Sequence, residues 1–365
     1  MTSTEEHPVT TPHLPIRIVV FGDVFDDIIA SPASPIRSDT DTLARIERRP
    51  GGSAANTAAW LGSLGTQVDF VGRTNIVDTV RHETALRNSG VTAHLLGESI
   101  LPTGTIVVIV ETTTDPVSGR TIDTRTMLTE RGANALTAPD DVSDALLRVA
   151  SHLHFTGYTI FSGQPVDGFG RLIERARMHG ITVSIDPASS GFITDHGADA
   201  FLEAVRGADV LFPNLDEARA LTGLGHAARP AELVDALAEH FAVVALTLGR
   251  TGAFIGAGPR GSDAAVRFTV DCVPVEPVDT TGAGDAFNAG FLSGYFDTQA
   301  GEALPAAAAP IAVPPAAARP AAVALEARLR RAAERGVATA SRAIESVGAR
   351  PVGVVTHHHG VNVND

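Results

Sequence analysis

Apolar and polar residues fall in two rhythms along this chain. Residues 16–21 (IRIVVF) form a short, mainly apolar run stopped by Gly22, which predicts a buried first strand. Residues 53–64 then repeat apolar positions at helical spacing, with Ser53 suited to cap the start and Gly65 to stop the end. A strand is predicted at 68–71 and a helix at 83–88, closed by Ser89-Gly90. From Pro139 onward the rhythms alternate: helix 140–149, strand 152–155, helix 166–179, strand 181–185, strand 209–212, helices 215–222 and 230–239, strand 242–247. Such alternation implies βαβ units, a mainly parallel sheet and helices on both of its faces. Helices at 283–295 and 323–346 complete the series, and no internal repeat is visible.

Residues 92–131 break the pattern. Thr105 begins a β-rich run (TIVVIVE), Asp115-Pro116 and Ser118-Gly119 mark a turn, and 121–128 alternates like a half-exposed strand. A β-hairpin projecting from an α/β body is expected there. Residues 303–325 are rich in Ala but interrupted by Pro305, Pro310, Pro314, Pro315 and Pro320, so they read as a linker rather than a spanning helix. Residues 1–15, with Glu5, Glu6 and three prolines, read as a disordered tail and not a signal peptide.

Composition narrows the chemistry. Of 365 residues, 44% are hydrophobic and 19% charged, as in ordinary globular proteins. The net charge of −14 gives no electrostatic footprint for nucleic acid or an anionic membrane. All 28 basic residues counted as Lys or Arg are Arg. That excludes a P-loop lysine and Schiff-base chemistry, so any phosphate must be met by backbone N–H groups, Arg and a metal ion. The single Cys272 excludes an internal disulfide and a multi-cysteine zinc site, and reads as a buried thiol. One cysteine and no targeting signal point to the cytoplasm. His152 and His154 share one strand face and read as structural, and the tail histidines 357–359 as a solvated tract.

Two segments carry candidate chemistry. In VDTTGAGDAFNAGFLSGY (278–295), Gly282-Ala283-Gly284 lead straight into an apolar-periodic helix. The free N–H groups of its first turn make an anion site suited to a migrating phosphoryl group. Asp285 in that turn is favoured as an anion by the helix dipole, by about 0.3–1 kcal/mol at an exposed site, and could take a hydroxyl proton. The bland reading is a capped helix start. The second segment, Gly51-Gly52-Ser53-Ala54-Ala55-Asn56, allows close approach of a polyol to the backbone, with Asn56 offering donor and acceptor. Its bland reading is a tight turn.

Together, GGSAANTAAWLGSLG (51–65) and DTTGAGDAFNAGF (279–291) resemble the two signature regions of the PfkB/ribokinase family of carbohydrate kinases. Gly22-Asp23 with Asp27, Arg131-Gly132-Ala133-Asn134, Asn214-Leu215-Asp216-Glu217, and Thr247-Leu248-Gly249 with Gly252 extend the likeness over about 16–300 and 328–351. The resemblance implies a ribokinase-like three-layer αβα sandwich with a small β-sheet lid. One kinase domain over 16–356 would carry lid segments near 28–50 and 92–131 and an Ala/Pro-rich insertion at 301–322, with 357–365 as a tail. It implies ATP-dependent phosphorylation of a sugar hydroxyl, as in ribokinases, fructokinases or keto-deoxy-gluconate kinases, with Mg²⁺. Asp285 would be the base, with the amides of Gly282, Ala283, Gly284 and Asp285 as the anion hole. Asp27, Gly51, Gly52, Asn56 and Arg131 would hold the acceptor, and Arg131 reads equally as a salt bridge at the base of the lid. Asn214, Thr247, Gly249 and Gly252 would contact the nucleotide. Glu217 would hold Mg²⁺ through water, or close a capping box on Asn214. Asp279 and Thr281 match positions that bind a monovalent cation in many members, so K⁺ and a structural turn stand as two readings. A homodimer through the lid follows from the resemblance alone. Thr156-Gly157 stand where ribokinases proper often carry a glutamate. Two other readings are an adenosine-like nucleoside kinase and, in a different class, a non-catalytic sugar-binding regulator. The lack of Phe, Trp and Tyr in 92–134 favours a free sugar over a nucleoside.

Overall fold

The computed structural model describes residues 16–114, 121–161, 167–262, 265–297 and 319–351. Both expected tails, the expected turn at 115–119 and the insertion as far as 318 lie outside the described residues. The strands are β1 (Arg17–Phe21), β2 (Phe25–Pro32), β3 (Ala44–Gly51), β4 (Gln67–Asn75), β5 (Val91–Glu98), β6 (Thr105–Thr114) and β7 (Thr121–Glu130). They continue with β8 (His152–Thr156), β9 (Thr182–Asp186), β10 (Val210–Leu211), β11 (Val243–Thr247), β12 (Ala253–Ala257) and β13 (Val266–Val270).

Nine of them form one sheet in the order β13-β12-β11-β10-β9-β8-β1-β4-β5, parallel from β11 to β5. Neighbouring residues of β1 feed opposite faces. Ile18 and Val20 pack with the helices Ser53–Ser63, Ala283–Tyr295 and Arg319–Ala343. Val19 and Phe21 pack with Asp167–Met178, Ala198–Ala204, Leu215–Thr222 and Pro230–Leu237. Two cores on the two sides of one sheet make the expected three layers. A second sheet, β3-β2-β6-β7, is mixed: β2 runs parallel to β6 and antiparallel to β3, and β6 and β7 form the expected hairpin.

Several boundaries differ from expectation. Residues 91–98 pair in parallel with β4 as an edge of the large sheet, so the second sheet takes up the chain only from Thr105, not from 92. The helix expected at 140–149 divides into a 3-10 turn, Pro139–Asp141, and one helical turn, Asp144–Leu147. Ser143 makes the break by capping a new start at the Leu146 amide. β12 and β13 form an antiparallel edge that the pattern does not announce. Cys272 packs against the apolar core as expected but is only half-buried, and its thiol lies 3.3 Å from the Ser341 hydroxyl. His152 and His154 are fully buried against the hydroxyls of Thr182 and Ser184, as structural histidines are. Among the described residues no helix is long and apolar enough to cross a membrane.

Candidate active site

In a doubly wound sheet the crevice lies beyond the carboxyl ends of the strands, where the winding reverses. Here that point is β1 beside β8, since β4 and β5 lie on one side and β8 to β11 on the other. Asp23 follows β1 and accepts from the Thr156 hydroxyl at the end of β8 (3.2 Å) and from the Ser53 amide (3.2 Å). Gly52 turns the chain into the Ser53 helix at φ 98°, and a Cβ there would sit 2.6 Å from the Asp23 carbonyl oxygen. Only glycine fits that conformation and that space.

The Ala283–Tyr295 helix starts at the same place. Gly282 caps it in the left-handed region (φ 76°), and a Cβ would lie 2.7 Å from that of Ala349. The Ala283 amide turns back to the Thr280 carbonyl at 3.3 Å. Among the described residues, nothing accepts from the amides of Gly282, Gly284 and Asp285, and the space beside Gly284 is open. The cradle therefore has three free amides, where four are expected.

Asp285 is buried. Its carboxylate accepts from the Ser53 hydroxyl (2.6 Å) and from the Asn56 amide (2.9 Å). Burial pushes its pKa up to about 7, against the pull of those two bonds and with the help of the Asp186 and Asp23 charges. The expectation of a firmly ionised Asp285 is thus corrected: the dipole benefit belongs to exposed sites, whereas this carboxyl is dehydrated among other carboxylates.

Asn56 faces two ways. Its side-chain oxygen accepts from Arg350 Nε (3.1 Å), and Arg350 Nη2 donates to the Gly51 carbonyl (2.8 Å). Arg350 Nη1 is buried without a hydrogen-bond partner, as is Asp27 Oδ1. Asp26 and Asp27 show what strand alternation does to adjacent side chains. Burial alone would raise Asp26, but the His82 imidazole 3.5 Å away and hydrogen bonds from Arg81 and Arg48 hold it far below the usual carboxylate range. Asp27 turns the other way, over Gly51, where a Cβ would come within 2.2 Å of its carboxylate. Burial raises Asp27 to about 6, opposed by the charge of Arg350. Asp27 and Arg350 border a cleft of about 440 Å³ between the small sheet and the loops around 278–281 and 347–351, with Asp279 and Thr281 on its wall.

The remaining expected residues lie along the same strand ends or beside them. Asn214 caps Leu215–Thr222, accepting from the Asp216 and Glu217 amides, while both Glu217 oxygens accept from Asn214. Thr247 bridges Asn214 in the sheet and leads to Gly249 at φ 58°, beside open space. Gly252 serves packing, since a Cβ would lie 2.0 Å from the Val270 carbonyl oxygen. Arg131 stands apart from the cleft: it donates to the Tyr158 carbonyl (2.9 Å), and burial lowers its pKa despite the Asp23 charge. Asp279 and Thr281, expected to offer oxygens to K⁺, are already paired with Arg125 at 2.7 and 2.9 Å.

Sequence reasoning missed Ser53 as a ligand of Asp285, and it missed Asp186 and Arg350 altogether. Asp186 ends β9, and its carboxylate accepts from Asn288 (2.6 Å), one turn beyond Asp285. An aspartate at the carboxyl end of a predicted parallel strand is a readable signal for it. Arg350 follows a long helix and no local pattern marks it.

Residues 16–354 match the pfkB family carbohydrate kinase model. An ATP-dependent ribose-1-phosphate kinase of Halopiger xanaduensis is 30% identical over 280 residues, 76% of this chain and 84% of that protein. A Bacillus subtilis ribokinase is 26% identical over 75% of this chain and 84% of its own length. A probable sugar kinase from Rhizobium etli superposes with a TM-score of 0.71 at 23% identity, covering 93% of this chain and 96% of that one. The adenosine kinase of Sinorhizobium meliloti gives 0.70 at 24%, covering 93% and 97%. A ribokinase-like fold, a glycine-opened amide cradle with its aspartate, and a family match over nearly the whole described chain lead to one conclusion: the protein belongs to the pfkB family of carbohydrate kinases.

Proposed function

We propose that this kinase transfers the γ-phosphoryl group of ATP to a hydroxyl of a small sugar, with Asp285 as the base. The observation that carries the reading is the Asp285 carboxyl, fixed by Ser53 and Asn56 at the mouth of a cradle whose amides have no other acceptor. Phosphoryl transfer needs positioning and charge neutralisation more than strong basicity. A carboxyl near pKa 7 meets the proton of the acceptor hydroxyl half-ionised at neutral pH. Amides of Gly282, Gly284 and Asp285 face the three outer oxygens of the migrating group. Asp27 accepts from a second sugar hydroxyl, and Asn214, Thr247 and Gly249 flank the nucleotide.

Mg²⁺ fits the far side of the crevice. Burial raises both Glu217 and Asp186; the Asp186 charge adds to the first and the Asp23 charge to the second, a crowding that a hydrated dication relieves. When bound, it neutralises the phosphate chain of ATP. Among the described residues, no three His, Cys, Asp or Glu side chains converge on one metal position.

A second reading, an acceptor that already bears phosphate, is favoured by the unpartnered Nη1 of Arg350 beside the cleft and by the name of the Halopiger relative. Among the described residues no aromatic side chain lines the cleft, which speaks against a nucleoside. The exposed Ile46 and Leu128, on the face of the small sheet away from the cleft, suit the proposed homodimer. A panel of free sugars, sugar phosphates and nucleosides, followed by ADP release with Asp285→Asn as control, tests the assignment. ADP formed with a sugar and abolished in the variant supports it. Sugar binding without ADP from any acceptor would make the protein a regulator instead.

A further inference from the structure

The turn Asp279-Thr280-Thr281 precedes the amide cradle directly, so its shape sets where the Gly282, Gly284 and Asp285 amides point. Asp279 is buried and three contacts hold its carboxylate. Its Oδ1 accepts from the Thr281 amide (2.8 Å) and pairs with Arg125 Nη1 (2.7 Å), and its Oδ2 accepts from the Gly348 amide (3.0 Å). Arg125 Nη1 also donates to the Thr281 hydroxyl at 2.9 Å. The backbone behind is pinned by the Val278 amide to the Ile344 carbonyl (2.7 Å) and by Trp60 Nε1 to the Ala349 carbonyl (2.9 Å). An ammonium-sized or alkali cation would need the same two side-chain oxygens that the guanidinium holds. K⁺ therefore does not fit this turn as it stands.

We infer that Arg125, reaching across from β7 of the small sheet, is a built-in cation that replaces a monovalent ion at the Asp279–Thr281 turn and holds the amide cradle in shape. Burial alone would raise the Asp279 carboxyl, but the Thr281 and Gly348 amides and the Arg125 charge keep it below the usual range, so the turn carries a formed ion pair. Arg125 touches no reacting atom and acts as a positioning residue. A fixed guanidinium differs from an exchangeable ion in one respect: its charge cannot be diluted away, so the site is complete whatever salt surrounds it.

The activity arm of the test rests on the kinase reading above; the melting arm does not. Wild type, Arg125→Ala and Arg125→Lys are compared in KCl, NaCl and tetramethylammonium chloride at about 0.1 M, so that ionic screening is equal. Wild type and Arg125→Lys are each expected to keep one melting temperature and one rate across the three salts. Arg125→Ala vacates the two oxygens: KCl should raise its melting temperature relative to tetramethylammonium. Its turnover, lowered at least about tenfold without K⁺ by the lost charge-assisted bonds, should be recovered in KCl. A wild-type melting temperature or rate that depends on K⁺ overturns the proposal, whether or not the variants fold. So does an Arg125→Ala protein indifferent to KCl in both measurements.

Discussion

The two sheets of this kinase solve opposite problems. Strands such as β8 and β9 of the large sheet are buried along their whole length, and hydrophobic packing on both faces makes them rigid. β3 of the small sheet is mostly exposed and carries Arg45, Arg48 and Arg49. Carboxyls stand at the site ends of both sheets, and guanidinium groups from the small sheet and from the Thr79–Arg87 helix reach some of them. Where an arginine arrives, as at Asp26 and Asp279, the carboxyl is held ionised. Where none pairs directly, as at Asp27, Asp186, Glu217 and Asp285, burial drives the pKa upward. Structural anchors and chemical groups are thus sorted by whether an arginine pairs with them.

The largest effect expected from the rigid side is Gly282→Ala. A methyl group at φ 76° against Ala349 must displace the cradle, and turnover should fall by about 10²–10³, the range for lost oxyanion donors. Steady-state ADP release on a protein of unchanged circular dichroism checks this. Next comes the pair of adjacent aspartates. Asp26→Asn leaves Arg81 and Arg48 without their buried partner and should cost about 3–5 kcal/mol in urea unfolding. Asp27→Asn should leave stability nearly unchanged and raise the acceptor KM by about tenfold or more, the value of a hydrogen bond to a charged group. Equal destabilisation by both would break the contrast between the two faces of β2.

Much of the frame was legible because parallel strands buried on both faces read as unbroken apolar runs, and because Gly52 and Gly282 meet steric demands that only glycine satisfies. β3 was not legible as a strand: its ARIERRPG is polar and wet, and pairing with β2 alone makes it extended. Contacts such as Arg125 with Asp279, or Asn56 with Arg350, join segments far apart in the chain, and no local pattern announces them. The protonation of Asp285 was misjudged for a related reason. Its helix position could be read, but not the dehydration and the neighbouring carboxylates that outweigh it.

A smaller effect follows from linkage. Asp285 holds its proton up to about pH 7 in the folded state but releases it near its ordinary value when unfolded. Its contribution to stability is therefore present at acid pH and is lost as pH rises from about 4 to 7. Asp285→Asn should flatten that part of the curve and raise the melting temperature at pH 8 by about 1–2 °C, as for roughly 1 kcal/mol in a chain of this size. A variant less stable than wild type at pH 8 would mean that the carboxylate is better accommodated than its burial indicates.

The most direct test is kcat/KM between pH 5 and 9 for wild type and Asp285→Asn, since this ratio reports the free enzyme. Wild type should rise to a plateau with a midpoint near 7, and the variant should be slower by about 10³ and lack that limb. An asparagine variant within tenfold of wild type, or one that keeps the same limb, would contradict Asp285 as the base.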